Sequence, residues 1–238
     1  KKMKTKYILK HKRIYTLIAL MFFGYGLCSA EYNHELGLSG GTAFYLGDAN
    51  HVTPFNRPQW SAGAFYRYNI DTRWAIKLDV NYAEVEGDTR DFGYILPNNQ
   101  PYARFERGFV DIHAAVEFNF FDLGEDTYYK KKFDATPYLL IGIGLCAYND
   151  LYGGASMYEL SIPIAIGGKW KINKRLTLGI QWSIHKLFTD KFDVTGDNNA
   201  ILNNPTGAPN VGFLDTDFYS IANISLSVNL FDTKKFCR

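Results

Sequence analysis

The stretch Trp74-Ala-Ile-Lys-Leu-Asp-Val-Asn-Tyr82 decides the fold, because apolar and polar side chains alternate along it without an exception. In an extended strand successive side chains point to opposite faces, so Leu78 and Val80 lie on one face and Lys77 and Asp79 on the other. A strand of this kind needs apolar surroundings on one side and polar surroundings on the other. The stretch therefore predicts a sheet that separates two such environments.

The same alternation recurs along the chain, about eight times in all. The predicted strands cover residues 35–45, 60–68, 74–82, 110–120, 138–146, 159–171, 176–185 and 222–230. A sheet that carries opposite faces over its whole length, with an even number of strands, closes into a barrel and so leaves no unpaired edge. We therefore predict an all-β protein, an eight-stranded antiparallel up-and-down transmembrane β-barrel.

The connections between these strands alternate in length. Residues 46–58, 87–104, 149–157 and 187–217 form long connections, whereas 69–73, 121–134 and 173–175 form short or medium ones. Outer-membrane barrels place their short turns in the periplasm and their long loops outside, so both termini are predicted to be periplasmic. Four aromatic residues near strand ends on the apolar face are predicted to form a girdle at the membrane interface: Trp60, Trp74, Tyr82 and Trp170.

The first thirty residues have the composition of a secretory signal peptide. A basic run ends at Arg13, an uncharged apolar stretch covers residues 14–27, and Cys28-Ser-Ala30 supplies small residues for cleavage. Lipid attachment at Cys28 is the weaker interpretation, because the large Leu27 precedes it. The predicted organisation is a signal peptide over 1–30, an outer-membrane barrel over 31–231 and a periplasmic tail over 232–238.

The charge balance excludes a nucleic-acid partner. The chain has 26 basic residues, of which seven lie in residues 1–30, so the remainder holds 19 basic against 24 acidic residues. No basic face is left to bind nucleic acid. No uncharged run after residue 30 reaches the roughly 20 residues of a membrane-spanning helix, so strands are expected to cross the bilayer and to contact its lipids.

A soluble eight-stranded ligand carrier would show the same alternation with its apolar face inside, so periodicity alone leaves both architectures open. The polar rows combine charges of both signs with glycines at positions 142, 144, 167 and 179. Small residues and paired charges fit the narrow interior of a small barrel, whereas glycine on a water-facing surface would only weaken the strands. These features favour the membrane barrel, with a packed interior and no pore.

Ser183 and His185 are the strongest candidates for catalysis, because outer-membrane lipid deacylases use a serine and a histidine on a barrel. Both side chains fall on the interior face, however, where an acyl chain cannot reach them, and no acid at a matching offset orients the imidazole. His113 lies between Asp111 and Glu117 on the same face and is predicted to be a satisfied interior residue rather than a metal ligand. We predict no enzyme activity and no catalytic, cofactor or metal site.

Two loop segments leave alternatives open. Asp190, Asp193 and Asp197 could gather around Ca²⁺, although their spacing misses the regular calcium-loop pattern. The aromatic and basic residues 128–132 fit an interfacial anchor or a docking site for a periplasmic partner.

Two cysteines remain after residue 30, and the barrel geometry keeps them apart. Cys146 is predicted near the outer end of its strand and Cys237 in the periplasmic tail, about 25 Å away and beyond disulfide reach. In an oxidising compartment Cys237 is therefore free or bonded to another chain. We predict that the tail binds a periplasmic partner through Lys234, Lys235, Phe236 and Cys237.

Several phrases together resemble one protein family. They are Tyr45-Leu-Gly-Asp-Ala-Asn50, Phe118-Asn-Phe-Phe-Asp122, Thr136-Pro-Tyr-Leu-Leu140, Leu178-Gly-Ile-Gln-Trp-Ser-Ile-His-Lys186 with Thr189-Asp190, and Asp217-Phe-Tyr-Ser220. They are similar to the PorG-like outer-membrane barrels of the type IX secretion system, in the DUF6089 group. The resemblance implies a barrel without catalytic residues or cofactors. It also implies association with a periplasmic ring, made of a lipoprotein and its soluble partner, that supports protein export.

Two other functions remain open from the sequence. One is a general small outer-membrane barrel whose long loops bind external ligands or surfaces. The other, which the positions of Ser183 and His185 disfavour, is a barrel enzyme that modifies lipid.

Overall fold

The computed structural model describes residues 34–46, 55–92, 104–123, 133–149, 156–173, 175–188, 192 and 217–230. The strands are β1 (His34–Leu46), β2 (Gln59–Asn69), β3 (Trp74–Asp88), β4 (Arg104–Asn119), β5 (Ala135–Asn149), β6 (Ser156–Lys171), β7 (Leu176–Leu187) and β8 (Phe218–Asn229). A short 3-10 helix covers Thr89–Phe92. In the part of the chain that is described, no helix has the length and apolar character needed to cross a membrane.

The eight strands form one closed sheet in chain order, and every neighbouring pair is antiparallel. The first and last strands close the barrel through a ladder that runs from Glu35↔Asn229 to Leu46↔Phe218. The predicted fold class is therefore confirmed. We call the end that holds the start of β1 and the end of β8 the terminal end, and the opposite end the loop end.

The strands extend further at the loop end than the sequence predicted. The ladder between β3 and β4 continues to Asp88↔Arg104, and the ladder between β5 and β6 continues to Asn149↔Ser156. The predicted loops 87–104 and 149–157 are therefore partly strand. In these segments apolar and polar residues no longer alternate. The inward-facing residues here, such as Val85 and Phe105, pack against other protein side chains and are themselves apolar.

The outer wall of the barrel is apolar along most of its height. Leu38 is 70% exposed and Ile143 is 66% exposed, and large aliphatic or aromatic side chains occupy outward positions of every strand. A water-soluble protein rarely exposes an apolar surface of this extent, whereas a bilayer requires it. The apolar face thus points outward and the polar face inward, as predicted, which excludes the soluble carrier.

The four predicted girdle residues all lie exposed on this outer wall. Trp60 and Tyr82 are neighbours towards the loop end, with ring centroids 5.1 Å apart. Trp74 begins β3 and Trp170 nearly ends β6, so both lie at the terminal end. This placement fits two aromatic bands, and their contact with the membrane interface stays a prediction.

Inward-facing glycines make room for larger side chains in the narrow interior. A Cβ atom on Gly167 would lie 2.4 Å from Cζ of Tyr138, and one on Gly142 would lie 2.4 Å from the carbonyl oxygen of Ala114. Real Cβ atoms do not approach other atoms this closely. The glycines of the polar rows are therefore required by packing, as the sequence indicated.

Candidate functional site

Most of the buried polar side chains among the described residues point into the barrel, and the side chains of the interior form three layers. At the terminal end is an ionic layer: Glu35, Arg67, Lys77, Asp79, Glu117 and Lys169. Above it is a histidine layer: Asp111, His113, Ser183 and His185. The loop end is closed by an aromatic plug: Tyr45, Phe105, Phe109, Tyr148, Phe192 and Tyr219.

In the ionic layer every charge has an opposite charge beside it. Glu117 accepts a hydrogen bond from Lys169 and lies 3.2 Å from Nε of Arg67. Nη1 of Arg67 also donates to Oε2 of Glu35 at 2.7 Å. Lys77 lies 2.5 Å from Asp79 and donates to Gln181 at 3.0 Å. The six side chains balance in charge and fill the interior, which confirms the predicted pairing of interior charges.

In the histidine layer one carboxylate contacts two imidazoles. Nδ1 of His113 lies 2.6 Å from Oδ2 of Asp111, and Nδ1 of His185 lies 3.6 Å from Oδ1. The hydroxyl of Tyr219 donates to that Oδ1 at 2.6 Å. The sequence offers no acid at an offset that would orient His185. In the fold Asp111 of β4 comes to 3.6 Å from Nδ1 of His185 on β7, across the interior, a proximity that the sequence does not indicate.

Ser183, His185 and Asp111 thus have the composition of a hydrolytic triad, with 3.0 Å between Oγ of Ser183 and Nε2 of His185. The hydroxyl of Ser183, however, donates to the carbonyl oxygen of Ile221 at 3.2 Å. A nucleophilic serine must instead pass its proton to the imidazole. Ser183 is also only 2% exposed, so no lipid can reach it in this conformation. In this conformation Ser183 is not arranged to attack a substrate, and the absence of catalysis stays a prediction.

The aromatic plug adds an apolar part to the interior, for which the sequence predicted polar rows and close packing. Phe109 and Tyr219 pack with ring centroids 4.6 Å apart, and Tyr45 and Phe105 at 4.9 Å. Phe192, from the connection between β7 and β8, lies fully buried among these rings. The loop end of the interior is therefore closed by apolar contacts, a feature that the sequence analysis did not include.

Asp217 holds Phe192 in the plug. Its Oδ2 accepts a hydrogen bond from the backbone N–H of Phe192 at 3.0 Å, and its Oδ1 accepts one from the hydroxyl of Tyr45 at 2.5 Å. The guanidinium of Arg107 lies over the rings of Tyr148 and Phe192, at 4.6 Å and 5.8 Å from their centroids. The sequence analysis did not include this cluster. Extending the alternation of β1 and β4 would have placed Tyr45 and Phe105 on the inward face and so indicated it.

At the outer rim Arg57 joins the first long connection to β3. It pairs with Glu86, with Asp88 at 3.2 Å and with Asp91 at 2.7 Å. The hydrogen bond from Arg57 lowers the pKa of Asp91, and the hydrogen bonds to Asp91 and Glu86 raise the pKa of Arg57. Arg57 has a φ of 48°, a left-handed backbone that the ion pairs help to hold.

The same connection packs an aromatic side chain against the outer wall. The ring of Phe55 lies 4.6 Å from that of Phe44 and 5.9 Å from that of Trp182. Phe44 is fully buried although it points outward, because Phe55 covers it. A separate apolar groove of about 540 Å³ opens on the outer wall at the terminal end, lined by residues that include Phe121, Pro137, Gly168, Trp170 and Ile180.

Several predicted site residues fall outside the described residues. These are the tail residues Lys234, Lys235, Phe236 and Cys237, the acidic residues Asp190, Asp193 and Asp197, the basic segment 128–132 and the predicted signal peptide. Cys146 is described: it is a free, buried cysteine that contributes to the plug near the loop end, where the sequence placed it.

Comparison with solved structures agrees with the barrel. Neisserial surface protein A (NspA) is similar with a TM-score of 0.51 at 10% identity, over 85% of this chain and 100% of that one. Ail, the attachment invasion locus protein of Yersinia pestis, gives 0.44 at 9% identity over 84% and 99%. The N-terminal β-barrel domain of Pseudomonas aeruginosa OprF gives 0.42 at 9% identity over 84% and 100%.

Comparison with sequences places the chain in a family. No curated protein matches it. The family described as domain of unknown function DUF6089 matches residues 12–238, which is nearly the whole chain. The chain therefore belongs to the DUF6089 family and has the fold of an eight-stranded outer-membrane barrel.

Proposed function

We propose that this barrel is an outer-membrane component of the type IX protein secretion machinery. In this role it anchors, or associates with, a periplasmic ring made of a lipoprotein and its soluble partner, and so supports protein export. Membership of the DUF6089 family over residues 12–238 supports the proposal, together with the resemblance of the motifs to PorG-like barrels. The termini face the periplasm, residues 1–30 are removed, and the function requires neither a cofactor nor catalysis.

The filled interior is the observation that carries an anchoring role. The ionic layer and the aromatic plug are both buried, and each fills the interior where it lies. A cargo protein cannot pass through such an interior. The barrel must then act through its surfaces, and the end that faces a periplasmic partner is the terminal end.

The first experiment identifies the partners. A functional tagged protein is purified from chemically crosslinked outer membranes, and the bound proteins are identified by mass spectrometry. We expect a periplasmic lipoprotein and a soluble protein to co-purify, and to be lost when residues 232–238 are deleted. Deleting residues 196–214 is the matched control, because it shortens the external loop and leaves Phe192 and Asp217 in place. Partners that depend on the loop and not on the tail would contradict the proposal.

The second experiment tests the tail cysteine. If Cys237 bonds to a partner, non-reducing gels of envelope material show a slower band that Cys237→Ser abolishes. Cys146→Ala is the control, because Cys146 is buried in the plug and cannot reach another chain. An unchanged monomer in wild-type envelopes would contradict covalent attachment, while the crosslinking experiment would still report non-covalent binding.

A second function is favoured by the ion pairs of Arg57, which join residues 55–58 at the loop end to Glu86, Asp88 and Asp91. A loop segment held in place in this way suits a barrel that binds ligands or surfaces outside the cell. In that case deletion of 196–214 abolishes binding and deletion of the tail has no effect. A lipid-modifying enzyme predicts instead that the purified protein alters lipopolysaccharide and that Ser183→Ala stops it.

A further inference from the structure

The histidine layer contains two buried imidazole nitrogens without a hydrogen-bond partner. Nε2 of His113 and Nδ1 of His185 are both buried and both unpaired. A buried polar atom without a partner destabilises the fold, so such atoms need an explanation. Here both nitrogens belong to side chains that contact the same carboxylate, that of Asp111.

The hydrogen bonds around these rings define which nitrogens carry lone pairs. His113 donates its Nδ1–H to Oδ2 of Asp111, since a carboxylate can only accept, and this leaves a lone pair on Nε2. The hydroxyl of Ser183 is used on the carbonyl oxygen of Ile221, so Nε2 of His185 donates to Ser183. The lone pair of His185 is then on Nδ1, which lies 3.6 Å from Oδ1 of Asp111.

Nδ1 of His185 and Oδ1 of Asp111 therefore face each other 3.6 Å apart with no hydrogen atom between them. One ligand atom from each of Asp111, His113 and His185 can be chosen so that all three lie within 4.8 Å of one another. A tetrahedral ion at ~2.0–2.1 Å from each ligand would set the ligands about 3.3 Å apart, so the side chains would rotate towards one another, and His113 would bind through Nδ1 in place of the proton that Asp111 accepts. We propose that Asp111, His113 and His185 bind one divalent transition-metal ion of the zinc class inside the barrel.

The surroundings have the features of a supported metal site. Tyr219 donates to the carboxylate of Asp111 at 2.6 Å and so orients this ligand. Hydrogen bonds of this kind fix the ligands and their tautomers. A further charged group near the site is Asp79, with Oδ2 at 4.0 Å from Nε2 of His113 and with Lys77 beside it.

The bound ion would tie β4 to β7 across the interior. Asp111 and His113 lie on β4 and His185 on β7, and these strands are not neighbours in the sheet. A ligand that binds only the folded barrel stabilises it in proportion to the logarithm of its concentration. The inference concerns the interior alone and does not depend on a role in secretion.

The test uses the full chain, isolated from outer membranes with a histidine-free tag or refolded in detergent without metal. We expect about one equivalent of Zn²⁺ by elemental analysis after dialysis, and a visible absorption band when Co²⁺ replaces it. Zn²⁺ should raise the urea midpoint of metal-free protein, and a chelator should lower it again. His113→Gln and His185→Gln should each weaken Zn²⁺ binding at least about tenfold.

His34→Gln is the matched control, because His34 lies at the terminal end and bonds Tyr66 rather than the histidine layer. It should bind Zn²⁺ as the wild type does. If a ligand variant does not fold, the wild-type titration with and without chelator still decides the question. Three results would overturn the proposal: no Zn²⁺-dependent shift in the wild type, equal binding by the ligand variants (an adventitious ion only), or a midpoint that responds to pH but not to metal (protonated imidazoles).

Discussion

Removal of the Glu117 charge is the sharpest test of the filled interior. Glu117 is fully buried and pairs with both Lys169 and Arg67. The change Glu117→Gln keeps the shape of the side chain and leaves the ionic layer with one uncompensated positive charge. Loss of one partner from a buried ion pair costs about 3–5 kcal/mol. The equilibrium constant for unfolding should therefore rise by about two to three and a half powers of ten.

The matched double variant is Glu117→Gln with Lys169→Gln. It removes one charge of each sign, while Arg67 keeps its 2.7 Å bond to Glu35. Replacing both members of a buried ion pair lowers the unfolding free energy far less than removing one member alone. The double variant should therefore recover at least about half of the stability that Glu117→Gln loses. Arg104→Gln is the surface control and should cost less than about 1 kcal/mol, because Arg104 is well exposed where it pairs with Glu86.

The assay is urea unfolding of the refolded barrel in lipid vesicles, followed by tryptophan fluorescence and by the gel mobility of unheated samples. A loss below about 1 kcal/mol for Glu117→Gln would mean that water screens these charges as it does at a surface. The sealed interior, and with it the argument for an anchoring role, would then be refuted.

Three further outcomes are expected. Gly142→Ala should lower the unfolding free energy by about 1–3 kcal/mol in the same assay, because its Cβ would meet the backbone of Ala114, whereas Gly168→Ala, with 3.8 Å to its nearest neighbour, should be neutral. Ile143→Arg should destabilise the barrel in vesicles by about 2–4 kcal/mol and Tyr158→Arg by much less, since Ile143 lies mid-strand and Tyr158 near a strand end; equal losses would contradict the membrane depth inferred for them. The hydrogen bond from Arg57 lowers the pKa of Asp91 below its ordinary value of 3.8. The pair therefore stabilises the fold fully at pH values above 3.8, and this stabilisation is lost as the pH falls through the lowered pKa. The protection of residues 55–60 against hydrogen exchange, corrected for the intrinsic pH dependence of exchange, should therefore fall in acid for the wild type and be low at every pH for Asp91→Asn. Identical protection profiles would rule the pair out as the cause.

Alternation predicted the barrel well because lipid and lumen impose opposite demands on successive residues. Between Trp74 and Tyr82 each side chain meets only one of these environments, so its chemistry reports its direction. At the rim this relation fails. Val85 and Phe105 face inward and pack against other protein side chains, so they are apolar on the face that is otherwise polar. For this reason the alternation became clear only from Val110, and Phe105 lay outside the predicted strand.

The contacts of the histidine layer could not be predicted from the sequence, because they cross the interior. The positions of Asp111 and His185 on the inward face followed from periodicity alone. Their contact depends on the tilt of the strands and on the register of the whole closed sheet, which fix the height of each residue. Phe192 is a similar case, since a residue in a long connection carries no periodic pattern at all.

The bonds of Glu35 have a consequence for how the barrel is assembled. Its carboxylate accepts hydrogen bonds from Arg67 of β2 and from Ser227 of β8, on either side of the strand that starts the barrel. Before the first and last strands meet, Glu35 lacks its β8 partner, and the charges beside it remain open to water. Closure of the barrel between β1 and β8 therefore also completes the hydrogen bonds of this buried carboxylate. A chain in which β1 and β8 have not yet paired lacks this stabilisation.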